Sequence, residues 1–192
     1  LKSGKVALAL SDDLNSPEAL AAMHGLSSAI FKAESDEEKA RLKGELIAVN
    51  PKETEVQGIK CYQNINDIDK VDVAIIAIAA KFTLETVKVL AQQKNTKGFI
   101  IFSAGFSEKD TEGKKLEQAI VDEINAVGGT LLGPNNIGLI NQNYAGVFTS
   151  PIPKLDINGV DFISGSGATA VFIMEAAMGT GLTFSSVYSV GN

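Results

Sequence analysis

The sequence VAIIAIAA, from Val73 to Ala80, is the longest apolar run in the chain, and it decides the fold class. A membrane-spanning helix needs ~20 apolar residues, so this run is far too short to cross a bilayer. A short, continuous run of this kind instead predicts a strand that is buried on both faces. The amphipathic segment Phe82–Gln93 follows and predicts a helix, and the run Phe99–Phe102 predicts the next strand. This order indicates a parallel α/β unit with a right-handed crossover.

The same alternation continues in both directions along the chain. Helices are predicted over Pro17–Phe31, where Ser16 is the expected N-cap, and over Glu112–Val127, which two glycines terminate. Further strands buried on both faces are predicted by the runs Val6–Leu10, Leu46–Val49, Leu131–Leu132 and Val160–Ile163. The sequence therefore predicts an α/β fold that is built on a parallel sheet.

A domain boundary is expected within the segment Asn141–Asn158, which contains two prolines and has no helical periodicity. Residues 1–150 would form the first domain. A new unit of strand, turn, helix and strand begins near Gly159, but independent α/β domains usually need ~100 residues or more. Residues 151–192 are therefore interpreted as the incomplete start of a second domain.

Composition limits the partners and the chemistry. With 17 basic and 23 acidic residues the formal net charge is −6, so neither nucleic acid nor a membrane is an expected partner. Cys61 is the only cysteine and His24 the only histidine, which excludes an internal disulfide and disfavours a zinc site. No targeting segment is evident, so the expected location is the cytoplasm.

Ligands of open parallel sheets bind beyond the carboxyl ends of the strands, so the turns that follow the apolar runs are candidate binding sites. The first of these turns, Ser11–Ser16, has two aspartates and no glycine, unlike the G-x-G-x-x-G turn that lets a dinucleotide approach the backbone. After the second predicted strand, Lys52 stands where an NAD site would have a carboxylate. A cation there suits a phosphorylated ribose, as in CoA or NADP, although a solvated loop lysine is the alternative.

Several motifs occur in an order that resembles a known family. They are VNPK (49–52), GIKCY (58–62), VDVAI (71–75), AKF (80–82), SAGFSE (103–108) and GPNNIG (133–138). The set is similar to the CoA-binding domain of the NDP-forming acyl-CoA synthetases, which include ADP-forming acetyl-CoA synthetase and the succinyl-CoA synthetase alpha subunit. The segments ISGSGA (163–168) and SVGN (189–192) resemble the start of that family's next, flavodoxin-like domain.

The resemblance implies a Rossmann-like domain that binds CoA, with the thiol end near Asn135 and Asn136. It also implies a helix N-terminus that faces a transient phosphate. The expected CoA-binding residues are Ser11, Asn50, Pro51, Lys52, Ala80, Lys81, Phe82, Ser103, Ala104, Gly105, Asn135 and Asn136. The expected phosphate-binding residues are Ser164, Gly165, Ser166 and Gly167.

The family's reaction passes phosphate from an acyl phosphate to a histidine and then to a nucleoside diphosphate. The resemblance places that histidine beyond Asn192, so this chain would bind CoA without itself catalysing the reaction. ATP or ADP with Mg would be bound by an ATP-grasp domain or subunit outside the chain, within an oligomer. His24 lies among apolar residues of a predicted helix and is interpreted as structural.

Other functions remain open at this point. The same fold could be an NAD(P)-binding module, although the missing G-x-G-x-x-G turn argues against it. It could also be a non-catalytic scaffold that has lost affinity for CoA, because the acidic Ser11–Ser16 turn would repel phosphates. A serine hydrolase nucleophile at Ser164–Ala168 is not favoured, since no histidine follows it in the sequence.

Overall fold

The computed structural model describes residues 6–10, 46–56, 59–142, 144–149 and 152–192. Within these residues, the first of two sheets contains β1 (Val6–Leu10), β2 (Leu46–Val49), β3 (Glu55–Val56), β4 (Ile59–Tyr62), β5 (Val73–Ala77), β6 (Gly98–Ile101) and β7 (Thr130–Leu132). Its order is β3-β4-β2-β1-β5-β6-β7, and only β3 and β4 pair antiparallel. The predicted α/β fold with a parallel sheet is therefore confirmed.

Two helices connect the later strands of this sheet. Helix α1 (Ala80–Lys88) continues through a π-helical turn (Val89–Gln93) and leads from β5 to β6. Helix α2 (Thr111–Ala126) leads from β6 to β7 and begins where the Asp110 carboxylate accepts the Gly113 N–H at 2.7 Å. Both predictions of helix in this region are confirmed. The helix predicted over Pro17–Phe31 lies outside the described residues.

Strand β5 sends alternate side chains into two separate cores, as a strand buried on both faces must. Ile76 is fully buried with Val87 and Ile120, which belong to α1 and α2. Ile75, on the opposite face, belongs to a second core that Tyr144 and Phe148 help to cover. Each buried isoleucine of this kind contributes about 1.5–3 kcal/mol through the removal of apolar surface from water. The opposite faces of the sheet are thus covered by different parts of the chain.

The strand order creates a crevice at the carboxyl edge of the sheet. From β1 the chain proceeds outward to β2 and β4, and it then returns to pair β5 on the other side of β1. Ligands of doubly wound sheets bind where the strand order reverses in this way. The turns that follow β2, β5 and β6 therefore lie around the expected ligand position.

The second sheet contains β8 (Gly138–Asn141), β9 (Tyr144–Val147), β10 (Leu155–Ser164) and β11 (Phe184–Ser189), in the order β10-β11-β8-β9. Helix α3 (Gly167–Thr180) connects β10 to β11, which pair in parallel. The other pairs of this sheet are antiparallel. Because β8 and β9 precede residue 150, the sheet takes strands from both sides of the predicted domain limit, and that limit stays a prediction.

The prediction that Val160–Ile163 is buried on both faces is wrong. Val160 is 48% exposed and Ile163 is 66% exposed. They belong to β10, which lies at the edge of the second sheet, and its pairing with β11 shifts register around Val160. An apolar run predicts a strand but does not indicate whether other elements cover it. Among the helices of the described residues, none has the length and apolar character needed to cross a membrane.

Candidate functional site

The turn after β2 carries a lysine on a backbone that is held by hydrogen bonds to Asn50 and from Asn50. Asn50 is buried, its N–H donates to the Tyr62 carbonyl at 2.9 Å, and its side-chain oxygen accepts the Lys52 N–H at 2.8 Å. Pro51 and Lys52 themselves are exposed. Asn50 therefore shapes the turn, while Lys52 is the residue of this turn that presents a positive charge to solvent.

The turn after β5 places an aromatic ring beside a second exposed cation. Ala80 begins α1, and the preceding Ala79 provides no side-chain cap for the helix. The Lys81 Nζ lies 4.7 Å from the centroid of the Phe82 ring, and Phe82 is 51% exposed. An uncapped helix start, an exposed ring and a cation together suit a flat, anionic ligand such as a nucleotide.

Ser103 connects three of the candidate turns. Its hydroxyl donates to the Ile78 carbonyl, and its own carbonyl accepts the Asn135 N–H at 3.0 Å. Gly105 has a φ of 108°, and a Cβ added there would lie 3.2 Å from the Ala80 Cβ. The turns after β5, β6 and β7 are thus held against each other at one edge of the sheet.

Asn136 supports this edge from within the protein. It is 2% exposed, and its amide nitrogen donates to the carbonyls of Ile101 at 2.6 Å and Leu132 at 3.3 Å. Its side-chain oxygen accepts the Gly138 N–H at 2.7 Å. Because both ends of the amide are used by the backbone, Asn136 stabilises the turn that carries its exposed neighbour Asn135.

The start of α3 is shaped by two serines. Ser164 is buried, and its hydroxyl donates to the Ser166 carbonyl at 2.8 Å and accepts the Ser166 N–H at 3.1 Å. The Ser166 hydroxyl caps the helix by accepting the Thr169 N–H at 3.3 Å. A Cβ added to Gly167 would lie only 2.7 Å from the Ile137 side chain. Glycine therefore lets the helix start approach the turn after β7.

A cavity of about 430 Å³ lies where that turn meets the start of α3. This volume is within the range of small-molecule binding sites. The lining residues are Phe102, Ala104, Asn135, Asn136, Ile137, Phe148, Gly165, Ser166, Gly167 and Ala168. The structure thus brings residues of the predicted CoA set and of the predicted phosphate set into one cavity.

The remaining predicted site residues lie elsewhere. Those that do not line the cavity are Asn50, Pro51, Lys52, Ala80, Lys81, Phe82, Ser103, Gly105 and Ser164. Ser11 is outside the described residues. The lining residues Phe102, Ile137, Phe148 and Ala168 were not predicted as site residues. For Ile137 and Ala168 a signal exists, because each directly follows a predicted site residue.

A network of side chains that the sequence did not indicate lies beside the cavity. The Glu108 carboxylate accepts the N–H groups of Gly105 and Phe106, and it accepts the Asn192 amide at 2.6 Å. The same amide donates to Glu117 at 3.1 Å, and its oxygen accepts from Asn135 at 3.1 Å. Asn192 therefore joins the turn after β6 to the turn after β7.

These contacts perturb the titration of Glu108. Partial burial acts to raise its pKa, but the hydrogen bonds from Gly105, Asn192 and Phe106 outweigh burial and hold the pKa below the ordinary 4.5. The charged form is thus the one that the folded protein favours. No group of three or more His, Cys, Asp or Glu side chains that could hold a metal ion occurs among the described residues.

The stability provided by Glu108 is expected to depend on pH. Since its pKa is lower when folded than when unfolded, this contribution is present above the unfolded value and is lost as pH falls through the folded value. The difference in free energy of unfolding between the wild type and Glu108→Gln should therefore shrink between about pH 6 and pH 3. Urea titrations across this range would measure it. An equal trend for Glu175→Gln, on the exposed side of α3, would contradict this assignment to Glu108.

Comparison with known proteins identifies the family of this fold. The model of a CoA-binding domain matches residues 28–142, which is more than half of the chain. A second model, described as a DALR domain, matches only residues 5–49. Most of that second match lies outside the described residues, and its described parts are the parallel strands β1 and β2.

Two curated relatives and one solved structure are similar to this chain. The chain is 37% identical over 150 residues to acetate–CoA ligase (ADP-forming) I of Archaeoglobus fulgidus, covering 78% of this chain and 22% of that protein. It is 36% identical over 150 residues to acetate–CoA ligase (ADP-forming) II subunit alpha of Pyrococcus furiosus, covering 78% of this chain and 32% of the subunit. The apo structure of the dinucleotide-forming acetyl-coenzyme A synthetase 1 of Ca. Korarchaeum cryptofilum matches with a TM-score of 0.76 and 26% identity, over 97% of this chain and 38% of that one.

The match therefore spans about a fifth to a third of the length of these two relatives. The family-model match, over residues 28–142, includes β2 to β7 and the turn after β7. Because the family model matches more than half of it, this chain belongs to the CoA-binding domain family.

Proposed function

We propose that this chain binds CoA along the carboxyl edge of the first sheet, as the CoA-binding portion of an NDP-forming acyl-CoA synthetase. The proposed enzyme interconverts acyl-CoA, NDP and phosphate with an acid, CoA and NTP through a phosphohistidine outside this chain. The observation that carries the proposal is the cavity where the turn after β7 meets the start of α3. There, one ligand could contact the CoA-binding turns and the candidate phosphate site together.

The nucleotide end of CoA is assigned to the turns after β2 and β5. The exposed Lys52 would pair with the phosphates of CoA, the ribose phosphate above all, while Asn50 keeps the turn in shape. The exposed ring of Phe82 and the neighbouring Lys81 offer an apolar face and a charge to the same part of the ligand. Cations and ring faces are the groups that bind phosphate and base most directly.

The pantetheine arm is assigned to the turns after β6 and β7. Ser103 holds these turns together, and Ala104 and Asn135 present a small apolar group and an exposed amide at the cavity. The arm consists of amides and methylene groups, so it needs hydrogen-bonding and apolar contacts in alternation. This path would bring the thiol to the cavity next to Asn135.

The transient phosphate is assigned to the start of α3. The first N–H groups of a helix have no acceptor within the helix, so those of Gly167 and Ala168 can bind an anion. Ser164 and Ser166 fix the corner that presents these groups. The phosphohistidine, the nucleotide and Mg would come from outside this chain, from an ATP-grasp domain or subunit. The proposal also includes a cytoplasmic location and an oligomeric enzyme.

The proposal is tested by calorimetric titration of the full chain with CoA and with 3′-dephospho-CoA. CoA should bind, and Lys52→Ala should lower the affinity for CoA roughly tenfold, as expected for the loss of a charge-assisted contact. Binding of dephospho-CoA should be much less affected by the same substitution. Lys115→Ala is the matched control, because Lys115 is an exposed lysine on α2 that pairs with Glu112.

Three outcomes would count against the assignment. Absence of CoA binding below millimolar concentrations would exclude CoA as the ligand of this chain and favour a scaffold that has lost affinity for it. If Lys52→Ala weakens the binding of CoA and of dephospho-CoA equally, Lys52 does not contact the ribose phosphate. Binding of NADPH in place of CoA would indicate an NAD(P)-binding module instead.

A further inference from the structure

Two carboxylates share one amide at the carboxyl edge of the first sheet. The Asn192 amide nitrogen donates to Glu108 at 2.6 Å and to Glu117 at 3.1 Å. The hydrogen bonds that Glu108 accepts hold its pKa below the ordinary value, so this group is ionised at neutral pH. An ionised carboxylate accepts hydrogen bonds but cannot donate them. The amide nitrogen of Asn192 must therefore face the two glutamates, and its oxygen must face away from them.

The orientation of Asn192 sets the orientation of the Asn135 amide. The Asn192 oxygen accepts a hydrogen bond from the Asn135 amide nitrogen at 3.1 Å. This contact holds the nitrogen of Asn135 toward Asn192, so its oxygen is the end of the amide that is turned away. Asn135 lines the cavity, and its side-chain oxygen has no hydrogen-bond partner among the described residues. A chain of hydrogen bonds that starts at two carboxylates thus ends at an acceptor that a ligand can use.

The backbone keeps the two amides side by side. The Asn192 N–H donates to the Pro134 carbonyl at 3.2 Å, and the Asn135 N–H donates to the Ser103 carbonyl at 3.0 Å. Gly191 has a φ of 76°, and a Cβ there would overlap the Pro134 carbonyl oxygen. Glycine therefore allows the segment before Asn192 to lie against this turn. Since both backbones are held, the rotation of the Asn135 side chain is set by its contact with Asn192.

We infer that Asn192 is a positioning residue, which holds the Asn135 oxygen as an acceptor for the amide N–H nearest to the thiol of CoA. The inference rests on the proposed function, since it requires that the thiol end of CoA reaches Asn135. That amide N–H is the stronger donor at this end of CoA, because a thiol is a weak one. An Asn135 amide rotated by half a turn would present its own N–H groups to this donor, and the hydrogen bond would be lost.

The matched probes are CoA and an analogue in which an ester oxygen replaces this one N–H group, which turns a donor into an acceptor. Calorimetric titration of the full chain gives the preference as the ratio of the two Kd values. The wild type should prefer CoA roughly tenfold, as expected for the loss of a hydrogen bond. Asn192→Ala should reduce the preference to about threefold or less, because the Asn135 amide can then rotate and donate to the ester. Asn158→Ala, at an exposed position of β10 outside the cavity, should leave the preference unchanged.

A double variant, Glu108→Gln with Glu117→Gln, tests the origin of this orientation. A carboxamide can donate as well as accept, so two glutamines no longer fix the direction of the Asn192 amide. The preference should fall as it does in Asn192→Ala. Glu112→Gln with Glu175→Gln removes the same charge from exposed positions of α2 and α3 outside the cavity, and it should leave the preference unchanged.

The outcomes separate this inference from the proposed function. Absence of binding by CoA itself would overturn both. Binding of CoA with an equal affinity for the ester analogue would overturn the inference and leave the proposed function standing. A purely structural role for Asn192 would weaken both ligands by the same factor, so an unchanged preference in Asn192→Ala would also overturn the inference. Equal effects of Asn192→Ala and Asn158→Ala on the preference would do the same.

Discussion

Gly133→Ala is expected to lower the free energy of unfolding by about 3–5 kcal/mol, through backbone strain and overpacking together. Gly133 has a φ of 93°, which alanine rarely adopts. A Cβ there would lie 2.2 Å from the Asn136 amide nitrogen and 2.4 Å from the Ile101 carbonyl oxygen. Both atoms belong to a hydrogen bond that supports the cavity, so neither can move without loss.

Gly128→Ala separates the two causes. Gly128 also has a positive φ, of 67°, but a Cβ there would have no atom within 4 Å. Gly128→Ala should therefore lower the free energy of unfolding through backbone strain alone, by about 1 kcal/mol. Urea unfolding of the two variants and the wild type would measure both effects. Similar costs for the two substitutions would mean that the atoms around Gly133 move aside easily, against the rigid turn described above.

Asn136→Ala is expected to destabilise the fold by about 3 kcal/mol, because buried backbone groups lose their hydrogen-bond partners. Those groups are the carbonyls of Ile101 and Leu132 and the N–H of Gly138. Chemical denaturation at neutral pH would measure the loss. Asn135→Ala is the matched control, since the exposed Asn135 amide bonds only at the surface to Asn192, and its removal should cost about 1 kcal/mol or less.

Asn136→Asp tests the direction of these hydrogen bonds. A carboxylate cannot donate to the Ile101 carbonyl, whereas a protonated carboxyl group can. This variant should therefore be less stable relative to wild type at pH 7 than at pH 4. The opposite trend would contradict the role of the Asn136 amide as a donor to the Ile101 carbonyl.

The parallel sheet was predictable because its strands are continuous apolar runs. β1, β2 and β5 follow this rule, and the turns after such strands necessarily meet at one edge of the sheet. The antiparallel strands β8 and β9 were not predicted. Gly138–Asn141 and Tyr144–Val147 contain glycines and polar residues, and they are strands because they pair with each other and with β11.

The sequence predicted the residues of the candidate site that lie in turns directly after strands, but it did not predict those that distant contacts bring there. Asn135, Ser166 and Gly167 follow strands in the sequence, so their place at the sheet edge could be expected. Phe148 reaches the cavity through the second sheet, and Asn192 reaches Glu108 across 84 residues of chain. Sequence spacing carries no information on such distant contacts, which depend on how the two sheets pack.

The position of β11 in the second sheet has a consequence for the order of folding. β11 lies between β10 and β8, so the early hairpin of β8 and β9 joins the later β10 only through residues 184–189. The strands of the first sheet all precede residue 133 and can pair while synthesis continues. We expect the first sheet to leave the ribosome and to form first, and the cavity to assemble only when β11 docks, because contacts distant in sequence form last.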